Sequence, residues 1–290
     1  MPIHPAPPED LDGLVEAFRQ TVQAVIDLGH SCSDEDFASE TSCPGWTLKD
    51  HLSHIAAVEH FLDGGDNPEL DLTGLEHVRH EFGAWMEQGV ALRRDRSGAE
   101  VVAELETLLH NRLATLADPS LTLDTQVPEP MGSSRSLRGL LLLRLQDIWT
   151  HEQDVREALG RMGNLDTPAA AAFVNGVVRH FAKLVEGVPM ADGQTVILES
   201  TGPVTARTGV RVSHGADGEV TYHQLFTGES ESGMGAAVHS EDDPTTTIAL
   251  STEELGRRAA GRRSTSETAY SVVGDEELAA RVLDAITFTP

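Results

Sequence analysis

Between Asp10 and Leu28 the apolar residues Leu14, Phe18, Val22 and Val25 recur at spacings of four, four and three, the period of an amphipathic helix. Gly29 is its expected stop. Ser42-Cys43-Pro44-Gly45-Trp46 reads as a turn. Thr47 then caps a second helix, with Asp50 three residues on in a capping-box variant. That helix runs to about Leu62 and stops at Gly64-Gly65. The pattern predicts a third helix from about Thr73 to Leu92 and a fourth from Gly98 to Leu116. A loop rich in Pro, Gly and Ser covers Pro128 to Ser136. A fifth helix spans about Leu137 to Leu159 and closes at Gly160. A sixth opens at Thr167-Pro168, a cap followed by proline at the first helical position, and runs to about Val185.

The pattern changes near Gly187. Gln194 to Ser200, Val210 to Ser213, Val220 to Phe226 and Thr245 to Leu250 are short β-rich runs, the first three separated by Gly, Pro and Asp-Gly turns. Ser251 caps a short helix to Ala260, and Glu276 to Ile286 forms a last one. The expected fold is therefore α+β in two domains: an all-α helical bundle over residues 1–186 and a small α+β domain over 187–290, with the boundary near 186–193.

Composition narrows the function. Of 290 residues, 39% are hydrophobic but only 4% aromatic, so the core must rest on Leu, Val, Ile and Ala. The formal net charge of −26 argues against nucleic acid and anionic membranes as partners. The run Leu137 to Leu145 carries Arg138 and Arg144 and is too short to span a membrane. The N-terminus lacks the basic and apolar regions of a signal peptide, and a cytoplasmic protein is expected. Cys32 and Cys43 are too few for a disulfide framework.

Chemistry gathers on two helices. On the second, His54 shares a stripe with His51, Val58 and Phe61, flanked by Leu48, Leu52 and Ile55; Lys49, Ser53, Ala57 and His60 lie elsewhere. On the fifth, Asp147 and His151 are four apart and share a face with Leu140, Leu143 and Ala158, and Asp154 lies one turn further. Burying such groups unpartnered costs several kcal/mol. A divalent metal held by His54, Asp147 and His151 would satisfy them and keep coordination positions open, as catalytic metal sites do. The spacing equally suits a partly exposed, hydrogen-bonded i,i+4 pair. Cys43, near a helix N-terminus, reads as a packing residue because no base is placed for it. Trp46 and Trp149 also read as packing residues.

The segment Cys43-Pro44-Gly45-Trp46-Thr47-Leu48-Lys49-Asp50-His51-Leu52-Ser53-His54 resembles the first signature of the mycothiol-dependent maleylpyruvate isomerase family, among the DinB-like four-helix-bundle metalloproteins. Asp147 to Gly160 resembles its second signature, an acidic residue and His four apart. Thr245 to Leu250, Gly261-Arg262 and Val273 to Ala279 are similar to its C-terminal domain, related to sterol carrier proteins. The resemblance implies zinc (or another divalent metal) on His54, Asp147 and His151, although the isomerase has Glu where this chain has Asp147. It implies mycothiol as cosubstrate, its thiolate attacking a small electrophile, hence an isomerase or an S-transferase. Arg262 is the candidate to hold a substrate carboxylate or the cofactor, with Arg258 and Arg263 behind it. Asp154 would orient a ligand or act in catalysis, and His51 would hydrogen-bond at the cofactor site. Rival readings on the same scaffold are an iron oxygenase, a metal-dependent hydrolase and a non-catalytic binding protein.

Overall fold

Ile3–His4 form a short strand, β1, and Asp10 then accepts the Gly13 N–H on its side chain at 2.7 Å, starting helix α1 over Leu11–His30. The computed structural model describes residues 3–66, 68–129, 132–216, 218–227 and 244–288. The chain divides into two compact units, Pro8–Gly163 and Met1–Pro7 with Asn164–Pro290.

In the Pro8–Gly163 unit, α1 is followed by the one-turn α2 (Asp34–Phe37), then α3 (Leu48–Leu62), α4 (Glu81–Ala91) and α5 (Gly98–Leu116). An antiparallel ribbon, β2 (Gln126–Pro128) with β3 (Ser134–Ser136), leads into α6 (Leu137–Ala158). Helix α1 packs on α5 and α6, and α3 packs on the same two, so these four close a bundle. The expected stripe Leu14, Phe18, Val22 and Val25 is buried in it. Helices α3 and α6 are neighbours in space, and α4 lies on α3.

Three local expectations change. Helix α1 does not stop at Gly29 but runs to His30. A Cβ at Gly29 would stand 2.6 Å from Val102 Cγ2 and 2.9 Å from Leu52 Cδ2, so this glycine makes room for close packing rather than a turn. The third helix begins at Glu81, not Thr73. Residues 73–80 form turns, with Gly74 at φ +90°, and the His80 ring accepts the Gly83 N–H at 2.9 Å to cap α4. The expected loop from Pro128 to Ser136 contains the end of β2 and all of β3; Pro130 and Met131 lie outside the described residues.

In the other unit, Thr167 caps α7 (Pro168–Leu184) as expected. Strands β4 (Thr195–Thr201), β5 (Thr205–His214), β6 (Val220–Leu225) and β7 (Thr245–Ser251) precede α8 (Thr252–Ala259), and β8 (Tyr270–Val273) precedes α9 (Glu276–Ala285).

 The sheet runs in the order β1-β5-β4-β7-β8, with β6 also paired to β5; β4 and β7 are parallel and the other pairs antiparallel. Ser251 caps α8 through the Glu254 N–H, as its spacing predicts.

The boundary between units falls at Gly163/Asn164, not near 186–193. Helix α7 packs on β5, β6 and α8, and Thr208 Oγ1 and Gln224 Nε2 both donate to Val178 O. An apolar stripe identifies a buried face but not its partner. Here Phe173, Val174, Val177 and Phe181 belong to the core of the sheet unit. Among the described residues no helix is long and apolar enough to cross a membrane.

Candidate metal centre

Thr47 starts α3 because the Asp50 carboxylate accepts both its N–H (2.8 Å) and its hydroxyl (2.9 Å). This fixes the phase of His51 and His54, one turn apart. The next partner helix, α6, carries Asp147, His151 and Asp154 on successive turns. Against expectation, Ser53 and Ala57 are buried too, since α4 lies on α3.

The two helices bring five side chains together. His54 Nε2 lies 3.3 Å from each oxygen of Asp147. Asp147 Oδ1 lies 3.5 Å from His151 Nε2. Ligand atoms from His54, Asp147 and His151 all fall within 4.8 Å of one another, and so do those of His51, His151 and Asp154. Behind His151, its Nδ1 is 2.9 Å from His51 Nδ1 and 3.3 Å from Asp154 Oδ2. His51 and Asp154 are buried completely, whereas the Asp147 side chain is 25% exposed. Leu143, one turn before Asp147, is exposed rather than part of a buried stripe, so the cluster opens on the Asp147 side.

The donor set fits a divalent ion. Two imidazoles and a carboxylate are ordinary zinc ligands at about 2.0–2.2 Å, a span that these separations accommodate with small adjustment. His54 Nδ1 is buried without a hydrogen-bond partner, so the polar engagement of that ring is concentrated at Nε2, toward Asp147. Burial pushes the His54 pKa down despite the Asp147 charge, which favours a neutral ligand imidazole. Burial opposes ionisation of Asp147, but His54, Arg144 and His151 hold its carboxyl well below the usual range. For His151 burial is outweighed by hydrogen bonds to Asp147 and Asp154, and the pKa rises.

Several residues of the site escaped sequence reasoning. Arg144 pairs with Asp147 at i,i+3 and donates to Glu59 Oε1 at 2.8 Å, and Arg112 stands 3.3 Å from Glu59 Oε2. Arg144 and Glu59 are buried. The i,i+3 spacing was a usable signal for Arg144; Glu59 had none. Trp46 packs its ring against His51, His54 and His151 at centroid distances of 5.4, 5.3 and 5.6 Å. Its Nε1 donates to Glu87 Oε2 at 2.9 Å, and the same carboxylate meets His77 and Arg94. Cys43 serves the turn through its backbone: its N–H donates to Thr41 Oγ1 and its carbonyl accepts from Trp46. Arg156, two residues past Asp154, donates its Nε to Glu152 Oε1 at 2.7 Å.

Residues 18–156 match the family model of the mycothiol maleylpyruvate isomerase N-terminal domain. The matched residues fall within the helical unit. Two crystal structures, of a mycothiol-dependent maleylpyruvate isomerase and of a histidine-to-alanine mutant of it, each match the chain with a TM-score of 0.53 at 13% identity, covering 91% of this chain and 93% of theirs. At that identity the likeness shows the fold. No curated protein matches the sequence.

The matched stretch, residues 18–156, includes His51, His54, Asp147, His151 and Asp154, while Arg262 belongs to the other unit. There Arg262 Nη1 donates to Ala260 O, Arg258 Nη2 donates to Asp284 O, and Arg263 pairs with Glu253 and Glu254.

Proposed function

We propose that the protein is a metal-dependent enzyme that uses a low-molecular-weight thiol, mycothiol, to isomerise or S-conjugate a small electrophile. In this reading His54, Asp147 and His151 hold zinc. The observation that carries it is the convergence of those three donor sets, with Asp147 the most exposed of the three. The similarity of residues 18–156 to the mycothiol maleylpyruvate isomerase N-terminal domain supports the thiol, and the fold match to the isomerase supports an enzyme.

A divalent ion bound there would supply Lewis-acid stabilisation of a thiolate, which a free thiol near neutral pH reaches only to a few per cent. The chain's own groups prepare the site. Burial favours the neutral form of His54, and the Arg144 guanidinium beside Asp147 favours its ionised form. Asp154 stands behind His151, at its Nδ1, and so acts on ring orientation rather than on substrate. Trp46 covers the imidazoles and restricts water around them.

Metal analysis tests the reading. Wild-type protein is expected to hold about one zinc per chain, and His54→Ala and His151→Ala to lose it while keeping the helical circular-dichroism spectrum. Equal zinc in all three would sink the site. A zinc-loaded sample should gain thermal stability on titration with mycothiol; the absence of any shift would count against the thiol.

A further inference from the structure

Thr41, just before the Cys-Pro-Gly-Trp turn, makes three polar contacts with one hydroxyl. Its Oγ1 donates to Trp46 O at 3.1 Å, accepts the Cys43 N–H at 3.2 Å and lies 2.8 Å from His51 Nε2. A hydroxyl has one proton. The carbonyl of Trp46 can only accept; with the Thr41 proton in the 3.1 Å bond to it, His51 Nε2 is the donor toward Thr41. A neutral His51 then presents an unprotonated Nδ1 to His151 Nδ1 at 2.9 Å. One of two facing ring nitrogens must carry the hydrogen, and it falls to His151. Asp154 Oδ2 agrees independently: it is closer to the His151 Nδ1 (3.3 Å) than to the His51 Nδ1 (3.6 Å), as an acceptor facing an N–H should be. The hydrogen fixed on Nδ1 makes His151 Nε2 the nitrogen that carries a lone pair toward His54 and Asp147 when the ring is neutral.

We infer that Thr41 and His51 are positioning residues: a hydrogen-bond relay from the Trp46 carbonyl through Thr41 and His51 sets the tautomer of His151 so that its Nε2 is the ligand atom. The inference rests on the metal reading of the site for its purpose, but not for its geometry. It also accounts for a His51 that is completely buried with both ring nitrogens engaged, and gives that residue a role other than contact with a cofactor.

The test separates hydroxyl from shape. Thr41→Val keeps the volume and removes the donor and acceptor; Thr41→Ser restores them. Zinc affinity, measured by competition with a chromophoric chelator, should fall about ten- to a hundredfold in Thr41→Val, the usual effect of removing an outer hydrogen-bond partner, and return close to wild type in Thr41→Ser. Long-range proton–nitrogen spectra of the wild type should show His51 protonated at Nε2 and not Nδ1, and His151 protonated at Nδ1, with and without zinc. A His51 proton on Nδ1, or wild-type zinc affinity in Thr41→Val, overturns the relay. If the wild type binds no zinc, the metal reading fails by itself, and the spectra of the zinc-free protein still decide the tautomers.

Discussion

Gly45 shows how much a single position holds at this site. Its φ is +82°, and a Cβ there would stand 2.3 Å from His77 Nδ1. His77 in turn shares Glu87 with Trp46, the residue that covers the imidazoles. Gly45→Ala is expected to destabilise the protein by about 1–3 kcal/mol from backbone strain and to alter Trp46 fluorescence; an unchanged melting temperature and spectrum would contradict this. Glu104 makes a separate pH argument. Burial pushes its pKa up, but Arg93 and Arg96 outweigh burial and lower it. A carboxylate lowered by folding contributes stability above its unfolded pKa, and that contribution is lost as pH falls through the lowered folded value. Glu104→Gln should therefore cost about 3–5 kcal/mol at neutral pH, because it leaves Arg93 buried and unpaired, and the difference from wild type should shrink below about pH 4. Urea unfolding at the two pH values measures it. Spacing placed Asp147 and His151 on one face, and the resemblance of the two segments to the isomerase family's signatures joined them to His54. Thr41, Glu59 and Glu87 were not legible, because each acts through partners on another element and spacing carries no such information.

At the scale of elements, periodicity located most of the helices and the strand-rich region, since burial on one face imposes its period on any sequence that folds. It failed where ends are set by something other than apolar spacing. Residues 73–80 continue a plausible helical pattern, but a left-handed Gly74 and a histidine cap at His80 start α4 later. Gly29 is the reverse case, a residue read as a stop that lies inside α1. Helix propensity alone would favour Gly29→Ala by about 1 kcal/mol. The added Cβ would meet Val102 and Leu52 well inside contact distance, and overpacking of that kind costs about 1–3 kcal/mol. Gly29→Ala should therefore lower stability. Adding Val102→Ala should recover part of the loss by reopening the closer of the two contacts. A double-mutant cycle read by urea unfolding gives the coupling; additive effects would mean that the clash with Val102 is not the cause.

At the scale of the molecule, the charge of −26 complicates any claim about a cation. Such a surface attracts divalent ions loosely wherever acidic side chains gather, so zinc retained by the protein is not in itself evidence for one site. Salt separates the two cases. At about 1 M NaCl the Debye length is about 3 Å, and loose surface attraction is largely screened. Donors pinched between α3 and α6, most of them buried, are screened far less. A ligand that binds the folded state alone adds about 2.7 kcal/mol at a free concentration near a hundred times its Kd. The expected result is a zinc-induced rise in melting temperature that persists at high salt in the wild type and disappears in His54→Ala. A rise that collapses with salt, or one that survives unchanged in His54→Ala, would assign the effect to the acidic surface. The proposed metal ligands all lie in the Pro8–Gly163 unit, so added hydrogen-exchange protection should concentrate in peptides from α3 and α6 rather than in the sheet unit.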